Sequence, residues 1–204
     1  LWVNAHYVYA GGFHRRDSAQ LDLRGKSVSE EKYLSLHEQL PNCVIFWDVP
    51  VGGTAADCES AELTLAYFSE GDVARLAYFR NLSALDIAAA DVSPALFESI
   101  RSAYPALSVR WSIPIGESRY PSDAESITLT DFAVSDLPLF DYFTALRAAD
   151  ARDCTCYDAI LALRGKYPAL ELQWKVPLGG AEYLQDAADI AVDDVSLTPD
   201  ALRT

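Results

Sequence analysis

The chain of 204 residues is half apolar and 23% charged, the balance of a folded domain and not of a disordered segment. Its 30 acidic residues against 16 basic ones leave a formal net charge of −14, which repels a phosphate backbone and argues against nucleic acid as a partner. No apolar run is long enough to span a bilayer, no Lys/Arg cluster suits anionic lipid, and four cysteines are too few for a disulfide-built scaffold.

The sequence opens on Leu1 and holds no Met, so the expectation is a chain processed upstream, with a secretory segment the natural candidate. Leu1, Val3, Ala5, Tyr7 and Tyr9 alternate as the tail of a partial unit over 1–20, and Gly11-Gly12 marks a hairpin turn. Leu21-x-Leu23 followed by Val28 then reads as a short strand with one inward face. Ser27 with Glu30 has capping-box spacing, and Tyr33, Leu36 and Leu40 lie on one face of the helix that follows. Pro41 stops that helix. Beyond it Cys43, Ile45, Trp47, Val49 and Val51 predict one amphipathic strand ending at a Gly52-Gly53 hairpin. Cys58, in the loop after that strand, is expected to be exposed and reactive.

The same grammar then repeats. The segment P-x-φ-x-φ-x-W-x-φ-P-φ-G (φ apolar) occurs around Trp47, Trp111 and Trp174, at offsets of 64 and 63. The short φ-x-φ strands begin at Leu21, Leu63, Leu85, Ile127, Ala149 and Ile190, spaced alternately by about 42 and about 22 residues. The predicted organisation is therefore one domain: a partial unit 1–20, long repeat 21–62, short repeat 63–84, long repeat 85–126, short repeat 127–148, long repeat 149–189 and a partial unit 190–204. Val92 and Val134 stand where Val28 does, and the short-unit helices are expected to run on through Leu82 and Leu146. Ser93-Pro94 and Thr198-Pro199 pair an N-cap with a proline at the first helical position. Trp47, Trp111 and Trp174, set among inward residues, are predicted to be core.

Leu21-Asp22-Leu23-Arg24-Gly25-Lys26-Ser27-Val28 resembles the core motif of leucine-rich repeats, and the alternation with W-x-φ-P-φ-G hairpins is similar to a variant on bacterial cell surfaces. The resemblance implies an α/β fold. It would be a right-handed solenoid with parallel strands on a concave face, helices on the convex face and an extra strand or hairpin in each long repeat. It departs from the family at the consensus Asn site, held here by Lys26, Phe68, Ala90, Phe132, Cys154 and Val195, so no buried Asn ladder is expected.

In that geometry the residues between the apolar strand positions face a ligand: Asp22, Arg24, Thr64, Asp86, Thr128, Thr130, Asp150 and Arg152, with Ala66, Ala88, Ala191 and Asp193 beside them. Asp22, Asp86 and Asp150 recur at equivalent sites, as an acidic stripe or as a solvated strand face. Cys154-x-Cys156 offers half a metal site, but both positions match core sites and no second pair accompanies them. His6, His14 and His37 stand in no nucleophile motif, and no glycine loop suits a phosphate. The expectation is thus a non-enzymatic module without cofactor or metal. It would recognise a protein, peptide or glycan outside a bacterial cell, the location following from the resemblance. A structural spacer and an accessory domain beside an enzyme are the other readings.

Overall fold

The computed structural model describes residues 6–9, 12–15, 17–178 and 181–187. The expectations for Leu1, Val3, Ala5 and the unit 190–204, including Ala191, Asp193, Val195 and Thr198-Pro199, lie outside the described residues. The chain forms two compact units, divided between Ser112 and Ile113.

The first unit opens with an antiparallel hairpin of β1 (His6–Tyr9) and β2 (Gly12–Arg15). Next come β3 (Gln20–Asp22), helix α1 (Glu30–Gln39) and β4 (Val44–Phe46), with β3 and β4 paired in parallel. A hairpin of β5 (Asp48–Val51) and β6 (Thr54–Asp57) follows. The unit then builds a three-stranded parallel sheet from β7 (Glu62–Thr64), β8 (Ala84–Asp86) and β9 (Ser108–Arg110). Helix α2 (Glu70–Arg75) and a 3-10 turn (Leu76–Tyr78) join the first pair of strands, and α3 (Pro94–Ala103) joins the second.

Strand β10 (Ser112–Ile115) carries the boundary between units and is followed by β11 (Ser118–Pro121). The second unit repeats the parallel sheet with β12 (Ser126–Thr128), β13 (Ala148–Asp150) and β14 (Glu171–Gln173). A 3-10 helix (Val134–Tyr142) and α4 (Tyr157–Lys166) connect those strands. A hairpin of β15 (Lys175–Leu178) and β16 (Ala181–Leu184) ends the described chain.

The Trp segments fold differently from the expected single strand. Their alternation is right, since Cys43, Ile45, Trp47, Val49 and Val51 are all buried. The strand nevertheless breaks at each tryptophan. The half before it joins a parallel sheet; the half after it pairs with the next strand, in an antiparallel hairpin after Trp47 and Trp174 and as β10 with β11 after Trp111. Ile45-x-Trp47, Val109-x-Trp111 and Leu172-x-Trp174 are therefore further copies of the φ-x-φ strand seen at Leu21-x-Leu23, and each 42-residue repeat holds two parallel strands. Backbone bonds run on past the strands in the same way, with the Leu23, Ile87 and Ala151 N–H groups donating to the carbonyls of Phe46, Arg110 and Gln173.

Trp47 and Trp111 are 1% and 0% exposed, and each is stacked on a helix residue: Tyr33 at 4.3 Å and Phe97 at 4.2 Å between ring centroids. Trp174 is also buried, with the Arg164 guanidinium 5.2 Å from its ring. The helices stop one residue before Pro41, Pro105 and Pro168, at the C-caps Leu40, Tyr104 and Tyr167, because the residue ahead of a proline is driven out of the α region.

Several local expectations need correction. Helix α1 is capped by Ser29, whose Oγ accepts from the Lys32 N–H, and not by Ser27. Val134 is 52% exposed because Phe132, buried at the consensus Asn site, fills the core there instead. Phe68, Ala90 and Cys154 are buried at that site as well, whereas Lys26 is exposed. The short-unit helices end at Tyr78 and Tyr142, not at Leu82 and Leu146; in the second, Pro138 lacks the N–H that an α-helix interior needs.

The motif glycines have two reasons to be glycine. Gly52 and Gly53, at φ 59° and 72°, make the two-residue turn between β5 and β6 that favours positive φ. Gly52 also lies against the next segment, where a Cβ would come within 2.6 Å of the Tyr67 carbonyl oxygen. Asp72 ties the same junction together. Its buried carboxylate accepts from the N–H groups of Gly52 (3.2 Å) and Ser69 (3.0 Å), from the Ser69 hydroxyl (2.7 Å) and from Arg75 (3.2 Å).

Candidate functional site

The residues that face away from the core on the parallel strands are the middle members of the φ-x-φ copies. These are Asp22, Phe46, Thr64, Asp86, Arg110, Thr128, Asp150 and Gln173. Phe46, Arg110 and Gln173 hold the same place on their own strands, each the register partner of one of the three aspartates, and were not among the expected ligand-facing residues because the Trp segments were expected to form a separate hairpin. The available signal was the identity of Ile45-x-Trp47 with Leu21-x-Leu23.

The three recurring aspartates share one local role. Asp22, Asp86 and Asp150 each accept, through Oδ1, from the N–H two residues on, at 3.1, 3.0 and 3.1 Å. That bond closes the bend at the strand's end, a turn Asp favours. Each is also paired with an arginine. Asp22 and Arg24 lie 2.6 Å apart at their closest, Asp150 and Arg152 likewise 2.6 Å, and Asp86 and Arg110 3.1 Å. The Arg24 fork holds the Asp22 carboxyl at a pKa of about 2, and Arg152 lowers that of Asp150 in the same way. Each of the three carboxylates is therefore compensated by an arginine.

In the first unit Asp22 and Phe46 are register partners. The guanidinium groups of Arg24 and Arg80 lie 5.2 and 4.8 Å from the Phe46 ring centroid, and Arg24 reaches on to Asp57 at 3.2 Å. Thr64 is the register partner of Asp86 in the three-stranded sheet of this unit.

In the second unit the structure brings Thr128 and Asp150 together as register partners, with Gln173 next across the sheet. A recess of about 190 Å³ opens over them, lined by Ser126, Thr128, Asp150, Glu171 and Gln173 together with Ile127, Ala148 and Ala149. Arg152 stands beside it, held by its Asp150 pair. Thr130 is exposed two residues beyond Thr128. A larger recess of about 460 Å³ lies beside Phe140, Phe143 and Leu170, but its polar groups satisfy one another: Asp141 meets Lys166 at 2.9 Å and the Tyr167 hydroxyl at 2.5 Å.

Cys58 is not the exposed thiol expected of a loop. It is 1% exposed, its N–H donates to the Trp47 carbonyl (3.1 Å), and burial pushes the thiol's pKa up. Cys43 is buried as expected, and burial raises its pKa too. Cys154 and Cys156 form a disulfide. Among the described residues no group of three or more His, Cys, Asp or Glu side chains is arranged for a metal ion, and no helix is long and apolar enough to cross a membrane. No family profile matches the chain, and neither the curated proteins nor the solved structures yield a match to it.

Proposed function

We propose that this chain is a leucine-rich-repeat solenoid of the bacterial cell-surface type, a non-enzymatic module that binds a protein, peptide or glycan across its strand face outside the cell. The observation that carries the reading is the recess over β12, β13 and β14. There two hydroxyls, two carboxylates and an amide line one recess together with Ile127, Ala148 and Ala149. Such a surface offers both donors and acceptors at even spacing, which suits sugar hydroxyls or an extended peptide backbone. The Asp150 carboxylate beside the recess is already paired with Arg152, at 2.6 and 2.9 Å. The shallow shape fits recognition of a broad partner better than enclosure of a small substrate.

The test is a screen of glycan and peptide arrays with the wild-type chain and a Gln173→Arg variant, whose longer side chain blocks the recess. Ligands bound by the wild type and lost by the variant, with the melting temperature unchanged, support the reading. Arrays that give the same pattern with both chains place recognition away from this face.

A further inference from the structure

We infer that Cys154 and Cys156 form a redox-active disulfide that exchanges with dithiols while the chain stays folded. The connector that holds them differs from its repeats. Seven residues lead from strand to helix at 23–29 and at 87–93, but six do so at 151–156. In the longer connectors a buried valine, Val28 or Val92, precedes a serine whose Oγ accepts from the first turn of the helix, Ser29 from Lys32 and Ser93 from Leu96. In the shorter one Cys154 holds the buried site of Ala90. Cys156 holds the N-cap place of the serines and makes no side-chain cap bond, so its counterpart is Ser93 and not Val92 as the strand alignment suggested. The valine plug and the serine cap are both gone, and a disulfide stands in their place.

A cross-link that encloses one residue removes almost none of the unfolded chain's entropy, so this one adds little as a staple. Its chemistry is the more distinctive property. Cys154 is buried while Cys156 is half-buried at the start of a ten-residue helix, so one sulfur is presented and the other is shielded. A dithiol's thiolate attacks the Sγ of Cys156. The Cys154–Cys156 bond breaks, and Cys154 leaves with the electron pair and takes a proton. The dithiol's second thiol, losing its proton, then attacks the mixed disulfide and releases Cys156 as a thiolate, favoured at a helix N-terminus. The dithiol is oxidised to its disulfide and the protein gains two electrons. Cys43 and Cys58, both buried with raised pKa values, take no part.

The whole chain is oxidised in a glutathione buffer, then alkylated with iodoacetamide without denaturant, before and after dithiothreitol, and the labelled cysteines are located by mass spectrometry. A parallel thermal melt follows the fold. The expected result is no label on the oxidised chain. After dithiothreitol, label is expected on Cys156, the presented sulfur, but not on Cys43 or Cys58, within about an hour, with a cooperative melt retained and Cys154 labelled only when denaturant is then added. Label on Cys154 or Cys156 before reduction overturns the inference, as does a disulfide that yields only in denaturant. Labelling of all four cysteines on reduction shows a structural staple and overturns it equally.

Discussion

The Cα of Gly116 sits so close to the backbone of Asp131 that a Cβ on it would lie 2.1 Å from the Asp131 carbonyl oxygen. Its repeat counterpart Gly52 meets Tyr67 in the same way at 2.6 Å. Both residues also hold positive φ, 56° and 59°. Gly116→Ala is therefore expected to cost about 2–4 kcal/mol, read as a shift in the urea midpoint. Gly53→Ala, at φ 72° with nothing within 4 Å of the added carbon, should cost only about 1–2 kcal/mol of backbone strain. Equal losses at the two sites would mean that the close approach is unimportant.

Trp111 is fully buried and stacked on Phe97. Trp111→Ala empties the largest side chain of that layer and should cost about 3–5 kcal/mol in chemical denaturation. A loss below about 1 kcal/mol would contradict the burial described.

Acid should expose the role of Asp72. Burial raises its pKa, but the bonds from Ser69, Gly52 and Arg75 outweigh that and hold it below the ordinary carboxylate value. The unfolded chain therefore takes up the proton first. The stabilisation is complete above the unfolded pKa, about 4, and is lost as pH falls through it towards the lower folded value. Asp72→Asn is expected to lower the melting temperature at pH 7 and to flatten its fall between about pH 4 and pH 2. A variant with the wild-type acid slope would show that the carboxylate is not so held.

The Asp22–Arg24 pair is open to solvent, so its disruption should change a titration more than the stability. Arg24→Ala is expected to move the Asp22 carboxyl from about 2 back towards its ordinary 3.8 by NMR, with the melting temperature close to wild type. An unmoved Asp22 would assign its low value to the turn N–H alone.

Much of the fold could be read from particular residues. The helix ends at Pro41, Pro105 and Pro168 and the inward parity of Cys43 to Val51 follow from steric rules that act within a few residues. The recurrence of Asp22, Asp86 and Asp150 was legible too, and its cause, a bond to the N–H two residues on, is equally local. Their arginine partners were legible only where the spacing is short. Arg24 and Arg152 lie two residues away, whereas Arg110 reaches Asp86 from the neighbouring strand.

By itself the sequence determined the period, the strand faces, the helix stops and the burial of the tryptophans, because each depends on local backbone sterics and on which side chains leave water. Tertiary structure alone decided that each Trp segment breaks in two, that Phe46, Arg110 and Gln173 join the strand face, and that Cys58 is buried rather than exposed. Those outcomes depend on which strand the backbone hydrogen-bonds to next. Alternation records which way a side chain points but not which neighbour its backbone pairs with.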